Sequence, residues 1–560
     1  MKNLIKLISF LPKKYKFLCF LIVFVALCMS LSEVLVLTSI KPFIESLSLI
    51  SNDNINKLEN NNYAIVLKEA YRFLSTVVFC GILRVLLISF QYRTAASISS
   101  RISSKSFKKI INQEYVNLKS VNQSKFLSIL IQDIPRTSEA LSNFANLVSN
   151  IIILIFISLS LLIIETKLFL ISGLFISISY LLICLTFAKK LKVNGENITK
   201  YNHIETSLAR STMASIVDFI IGGSSDNQIR NFTNNEIKLR KSYANTLIYS
   251  QTPRYIVETV CLSLFTGFIL FSLSSKSNLL IFAQLGTLLF AFNRILPAAQ
   301  QTYSAYAFIK SSSASINNVI FILSLKGKKF LTKLNIEEKE LVKENIISKK
   351  NNNKINILNL KYEYNENKKL SFKNFEFEQG IPTAIIGKSG SGKTTLVELI
   401  LKLLVPTSGQ IIINNHDINK IDAFRYYKNI SYLSQSPFLF SGSLHENILF
   451  GSNEKLDKDL LYENGIKLGL KDEFGDNFLD YHISDFGRNI SGGQAQRCSL
   501  LKITSNIKPI IIIDEPSSAL DQNTSLIFTE LLLSKAKDSI LIVITHSKEQ
   551  ADLFSSKLYL

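Results

Sequence analysis

Gly387-Lys388-Ser389-Gly390-Ser391-Gly392-Lys393-Thr394-Thr395 is the stretch of this 560-residue chain whose reading decides its fold. Two glycines five apart, then Lys and a hydroxyl residue, fit a phosphate-loop pattern. Its surroundings fit too. Thr383-Ala384-Ile385-Ile386 reads as a strand before it, and Leu396 to Leu401 as a helix after it. Glycines let consecutive backbone N–H groups turn inward on a phosphate, and the following helix offers its positive end to the same anion. Lys393 then reaches the β- and γ-phosphates of a nucleotide, and Thr394 offers a hydroxyl to Mg²⁺. A flexible Gly/Ser turn matching by accident is the plain alternative, and the motifs downstream weigh against it.

Downstream, Gln435 follows the strand-like Ile430-Ser431-Tyr432-Leu433. Ser491-Gly492-Gly493-Gln494 opens a second glycine-rich helix start, again able to offer N–H groups to an anion. The run Ile510-Ile511-Ile512-Ile513-Asp514-Glu515 reads as a buried parallel strand ending in two carboxylates. Asp514 suits Mg²⁺, directly or through water, and Glu515 can polarise an attacking water. Asp521 comes next, and His546 follows the strand-like 540–544. Upstream, Tyr364 precedes the phosphate loop by about twenty residues and offers a ring for adenine stacking; alone it is weak, since Tyr is common in strands.

The first half is of another character. At this length two or more domains are expected, and a hydrophobic content of 47% suggests a membrane part joined to a water-soluble part. Charge divides in the same way. Residues 351–560 carry 23 Lys+Arg against 24 Asp+Glu, whereas 1–350 carry 40 against 19. That basic excess flanks apolar spans, which favours lipid-facing topology over nucleic acid. Six stretches reach the ~17–25 residues a bilayer-crossing helix needs: Phe17–Ile40, Phe73–Gln91, Leu147–Ile164, Leu168–Phe187, Ile256–Leu273 and Leu279–Phe308. Lys and Arg cluster on one side of them throughout, placing both termini in the cytoplasm. Two long segments between spans predict helices projecting from the membrane, with turns near Tyr115–Ser124 and Ile216–Gly223. Ionisable Glu33, Arg84, Glu258 and Arg294 lie inside spans, where charge is costly; pairing, for example Glu33 with Arg84, stands equal to substrate contact. Six cysteines, five of them in apolar runs, give no metal or disulfide spacing.

Taken in order, the motifs of 355–560 resemble the ATPase domain of ATP-binding-cassette (ABC) proteins. By that likeness Tyr364 matches the adenine-stacking loop, Gln435 the glutamine loop, Asp521 the aspartate loop and His546 the switch histidine at the γ-phosphate. Ser491-Gly492-Gly493-Gln494 matches the family signature, which implies closure on ATP held by the opposite subunit. Ile490 stands where the family usually has Leu, a volume-conserving change. The first half resembles the six-span domain of type IV ABC exporters that are half-transporters. The runs around Glu33, Pro253–Glu258 and Arg294–Pro297 look like lipid-linked oligosaccharide flippases.

The expected fold class is therefore an all-α six-helix membrane domain (1–310), a linker (311–350) and an α/β phosphate-loop ATPase domain (351–560). The likeness implies catalytic Glu515, His546 and Gln435, with Mg²⁺ at Thr394, Gln435 and Asp514. Nucleotide contacts fall on Tyr364, Gly387, Lys388, Ser389, Gly390, Ser391, Gly392, Lys393, Thr394, Thr395, Ser491, Gly492, Gly493, Gln494 and Asp521. Implied partners are a second half-transporter in a homodimer, the lipid bilayer of a bacterial inner (plasma) membrane, and a lipid-linked or amphiphilic cargo. Arg84 and Arg294 are the expected pyrophosphate contacts. A multidrug or peptide exporter is the alternative, and an ATP-gated channel or regulator a more distant one.

Overall fold

The computed structural model describes residues 2–10, 12–52, 60–120, 123–164, 166–222, 225–274, 280–325, 347–348, 352–365, 368–450, 456–484, 487–515 and 522–560. The chain divides into two units. One holds 1–113 and 118–327, the other 114–117 and 328–560.

The first unit is almost entirely helical along its described length, built on long runs rich in Leu, Ile, Phe and Ser, and Pro42, Pro253 and Pro297 sit inside its helices. In chain order its helices are α1 (Lys2–Ser9), α2 (Lys13–Asn52), α3 (Asn60–Ile111), α4 (Tyr115–Ser120), α5 (Gln123–Ser128), α6 (Ile134–Ile164), α7 (Thr166–Ala214), α8 (Ile216–Ile221), α9 (Ser225–Ser274), α10 (Leu280–Ser311) and α11 (Ser313–Ser324). The first residues of α4 belong to the second unit. The described residues of the six expected spans lie on α2, α3, α6, α7, α9 and α10, Leu279 falling outside them. Three helical stretches among the described residues are long and apolar enough to cross a membrane: Lys13–Ile44, Tyr63–Ile111 and Gln123–Ser160. Large apolar side chains stand exposed along α3, Phe79 at 54% and Val85 at 64%. A contiguous apolar face of that kind is what a lipid environment covers.

Several polar groups of the bundle find partners among the described residues. Glu33 is fully buried on α2, and its Oε1 accepts from Arg84 Nη2 of α3 at 2.5 Å. Glu258 lies 3.7 Å from Arg254, one turn away on α9. The side chain of Arg294 lies outside the described residues. A π-helical turn, Ile129–Asp133, joins α5 to α6, and the buried Asp133 Oδ2 accepts from Asn318 Nδ2 at 2.8 Å. The helix α11 continues the first unit beyond Ser311, within the stretch read above as linker.

At Gly195 of α7 two helices approach closely. A Cβ there would sit 1.8 Å from the backbone oxygen of Ser311, at the end of α10. Backbone cannot retreat as a side-chain tip can. Gly195→Ala is therefore expected to cost ~1–3 kcal/mol by overpacking. Thermal unfolding in detergent checks this, and an unchanged midpoint would mean the two helices are not held at this distance.

The second unit is built on a five-stranded parallel sheet, in spatial order Ser556–Tyr559, Thr383–Ile386, Ile540–Ile544, Ile510–Asp514 and Ile430–Leu433. Ile510–Asp514 and Ile540–Ile544 are buried along their whole length, as strands covered on both faces must be. A second sheet, mostly antiparallel, forms around Lys354–Asn365. Because the five strands run parallel, every loop after a strand leaves from the same edge, where ligands of open α/β sheets bind. Gly387, Gln435, Glu515 and His546 all follow strands of this sheet, so topology alone brings them together.

Candidate nucleotide site

The phosphate loop connects the strand Thr383–Ile386 to the helix Lys393–Ile400. Gly392 is the residue before that helix and has φ +104°, and Gly390 has φ +82°, a backbone region that favours glycine. Gly387 is hemmed in, since a Cβ there would meet Ser391 Oγ at 2.6 Å and the Leu560 carbonyl at 2.7 Å. Lys388, Ser389 and Gly390 form the exposed rim of the loop. Lys393 is 6% exposed, and its ammonium donates to the carbonyls of Gly387 (2.7 Å) and Lys388 (3.2 Å). Burial lowers its pKa, while the nearby Glu515 and Asp514 carboxylates oppose that shift. Thr394 points its side chain to solvent. Thr395 is buried, with its hydroxyl 2.9 Å from that of Tyr364. Ser391 Oγ is buried with no hydrogen-bond partner among the described residues. A left-handed glycine loop, a buried ammonium and an orphaned hydroxyl are what a phosphate chain would satisfy.

Across the sheet edge, two side chains converge on one carboxylate. Glu515 Oε2 accepts from Gln435 Nε2 at 2.6 Å, and Oε1 lies 2.5 Å from His546 Nε2. The backbone of Glu515 is held as firmly. Its N–H donates to the Ile544 carbonyl (3.0 Å), and its own carbonyl accepts from Gln496 Nε2 (3.2 Å). Glu515 also has φ +50°, a region costing a non-glycine residue ~1–3 kcal/mol and found mostly at functional sites. Asp514, one residue earlier, is 7% exposed.

Residues 370–518 match the family model described as "ABC transporter". They belong to an ABC transporter ATPase domain. Curated relatives include the glutathione/L-cysteine transport system ATP-binding/permease protein CydC of Haemophilus influenzae. It is 30% identical over 268 residues, covering 47% of this chain and 44% of that protein. A putative multidrug export ATP-binding/permease protein of Staphylococcus aureus is 34% identical over 198 residues, covering 34% of each. The chain thus spans less than half the length of the curated relatives it matches. Among solved structures, a bacterial Atm1-family ABC exporter with ATP bound has a similar fold. Its TM-score is 0.76 at 14% identity, covering 98% of this chain and 93% of that one.

Within the ABC domain, Ser491 caps the helix Gly492–Ser505. Its hydroxyl accepts from Gln494 N, and Gln494 Oε1 accepts from Ser491 N, a reciprocal capping box. This leaves Ser491 and Gly492 exposed, with Gly493 and Gln494 half-buried. Among the described residues none of the four bonds to the phosphate loop. Tyr364 is 44% exposed, set edge-on to Tyr362 at 4.9 Å, with Lys368 Nζ 5.3 Å from its ring centre. Asp521 lies outside the described residues.

Two elements of the ABC domain have no counterpart in the sequence reading. The bond from Gln496 to the Glu515 backbone is one; a Gln two residues beyond the signature was its only signal. The other is the hydroxyl of Tyr115, which donates to the buried Glu398 Oε1 at 2.9 Å on the helix after the phosphate loop.

At Asp514, the expected metal ligand, the fold favours the protonated carboxyl. Burial raises its carboxyl from 3.8 to about 6, Glu515 adding to the rise while Lys393 and His546 oppose it. The folded chain therefore binds the extra proton. The penalty of the ionised form is fully present above about pH 6 and disappears as pH falls towards about 4. Asp514→Asn is expected to stabilise the chain by up to about 2 kcal/mol near neutral pH in chelator, and to lose that gain near about pH 4.5. Thermal midpoints at the two pH values check it. An equal gain at both would remove burial as the cause.

Proposed function

We propose that the chain is a half-transporter that hydrolyses ATP to move a lipid-linked oligosaccharide or related glycolipid across a membrane by alternating access. The observation that supports this most is the convergence on Glu515. A carboxylate held by Gln435 and His546, beside the buried Asp514 and at the same sheet edge as the phosphate loop, is an arrangement suited to hydrolysis. In this reading Lys393 and the N–H groups of 387–395 hold the phosphates, and Tyr364 stacks on adenine. Thr394, Asp514 and Gln435 would hold Mg²⁺, which would offset phosphate charge. Glu515 takes a proton from the attacking water, and His546 orients the γ-phosphate. The turn Ser491–Gln494, with Ser491 and Gly492 exposed, closes on nucleotide held by a second copy, so the working unit is a homodimer with two ATP between its ATPase domains; Asp521 is the aspartate-loop contact.

Six spans with both termini cytoplasmic, in a bacterial inner membrane, complete the proposal. It draws on the position of Lys and Arg around the apolar stretches, on the three membrane-length helices and on the exporter fold. A multidrug or peptide exporter is the second reading, favoured by the name of the staphylococcal relative. ATPase stimulation separates the two. The purified chain in nanodiscs is expected to turn over ATP faster with added lipid-linked glycan and to ignore amphiphilic drugs. The reverse response would transfer the assignment to the second reading.

A further inference from the structure

A cavity of about 280 Å³ lies in the first unit between α2, α3, α6 and α10. Just below the ~300–1,000 Å³ of ligand pockets, it has room for one head-sized group and not for a whole amphiphile. Its polar lining is unusual for a bundle with lipid-length apolar helices. Gln91, Asn146, Asn150 and Gln301 contribute four carboxamides, and Ser149 a hydroxyl. Gln91, Ser149 and Asn150 are each at least nine-tenths buried. Gln91 Nε2 donates to Ser149 Oγ at 2.7 Å, and Asn150 Nδ2 donates to the Asn146 carbonyl at 2.9 Å. A carboxamide has two donor and two acceptor positions, so these contacts use only part of what the side chains offer. Leu87, Ile88 and Ile153 supply an apolar wall.

Charge narrows the ligand. Arg84 is the one ionisable residue among the described lining, and its guanidinium is already bound to the buried Glu33. The pair is neutral as a whole. An anionic group entering here would meet a cation whose charge is already balanced, and would carry its own desolvation cost into a bundle interior. Neutral hydroxyls, each both donor and acceptor, match the carboxamides without that cost.

We propose that this cavity binds an uncharged, hydroxyl-rich sugar head of the cargo, with the adjoining aliphatic portion against Leu87, Ile88 and Ile153. The inference rests on the glycolipid reading above, and it moves the pyrophosphate expected at Arg84 elsewhere.

The chain contains no Trp, so Ile88→Trp, at a partly exposed lining position, supplies a background-free reporter. In nanodiscs of the full chain, titration with a monohexosyl diacylglycerol is expected to shift Trp emission saturably. Phosphatidylglycerol and plain diacylglycerol are expected to leave it unmoved. Adding Gln91→Leu should weaken half-saturation by about tenfold, the loss of one to two hydrogen bonds. If that variant fails to fold, Gln301→Leu, at an exposed position, is expected to weaken it in the same direction. An equal response to phosphatidylglycerol or diacylglycerol, no response at all, or no effect of either Leu variant would overturn the site. ATP-driven movement of lipid-linked glycan without this emission response leaves the proposed function standing and removes the site; the response without movement does the opposite.

Discussion

Glu515→Gln is expected to leave ATP bound and to lower its turnover by about 10²–10⁴-fold, the range general-base removal produces. The substitution changes little else. A Gln side chain has the length of Glu, its oxygen can still accept from Gln435, and the backbone bonds to Ile544 and Gln496 do not involve the side chain. The capacity to take a proton is lost, and with it the carboxylate contact to His546 Nε2. Phosphate release and retained nucleotide, measured on the same sample, separate hydrolysis from binding. Wild-type phosphate release by the variant would take the base role away from Glu515. Loss of nucleotide binding would instead make Glu515 a structural residue of the sheet edge.

The second large effect is expected at Lys393. Lys393→Ala removes a charged donor aimed into the phosphate loop, and charged hydrogen bonds are worth ~1.5–3 kcal/mol each. Nucleotide affinity should therefore fall by about 10–100-fold. Stability without nucleotide should change far less. The ammonium is buried and its pKa lowered by that burial, so its removal relieves a desolvation cost even as two bonds to loop carbonyls disappear. The thermal midpoint with and without Mg·ATP checks both halves. If ATP stabilises the variant as much as wild type, Lys393 does not contact the phosphates. Lys393→Arg should not restore binding, because the planar guanidinium cannot fold back onto the loop as the ammonium does.

The sequence reading succeeds where a local pattern carries the physics. The strand Thr383–Ile386 and the helix Lys393–Ile400 are marked by glycine spacing and by a switch in apolar period. The buried strand Ile510–Asp514 is marked by its unbroken isoleucines. Parallel pairing then follows from those strands alternating with helices, and it places Gln435, Glu515 and His546 at one edge. What no local pattern reveals is long-range or conformational. Nothing around Glu515 announces a left-handed backbone, because the Ile544 and Gln496 bonds that hold it come from other elements. The Tyr364–Thr395 contact joins residues 31 apart, and the Glu33–Arg84 pair residues 51 apart. The ion pair was open to reading as a pair or as two cargo contacts, since burial on separate helices is invisible in one dimension. The π-turn at Ile129–Asp133 has no composition of its own, being set by the buried Asp133 and its neighbours from α7 and α11.

The most direct test of coupling between the two units is movement of a labelled lipid-linked glycan across sealed vesicles holding the full chain. With Mg·ATP outside, where the ATPase domains of correctly oriented copies lie, the label is expected to change leaflets and to stop doing so with Glu515→Gln. Transfer at the same rate without ATP, or undiminished transfer by the Gln variant, would contradict an ATP-driven transporter.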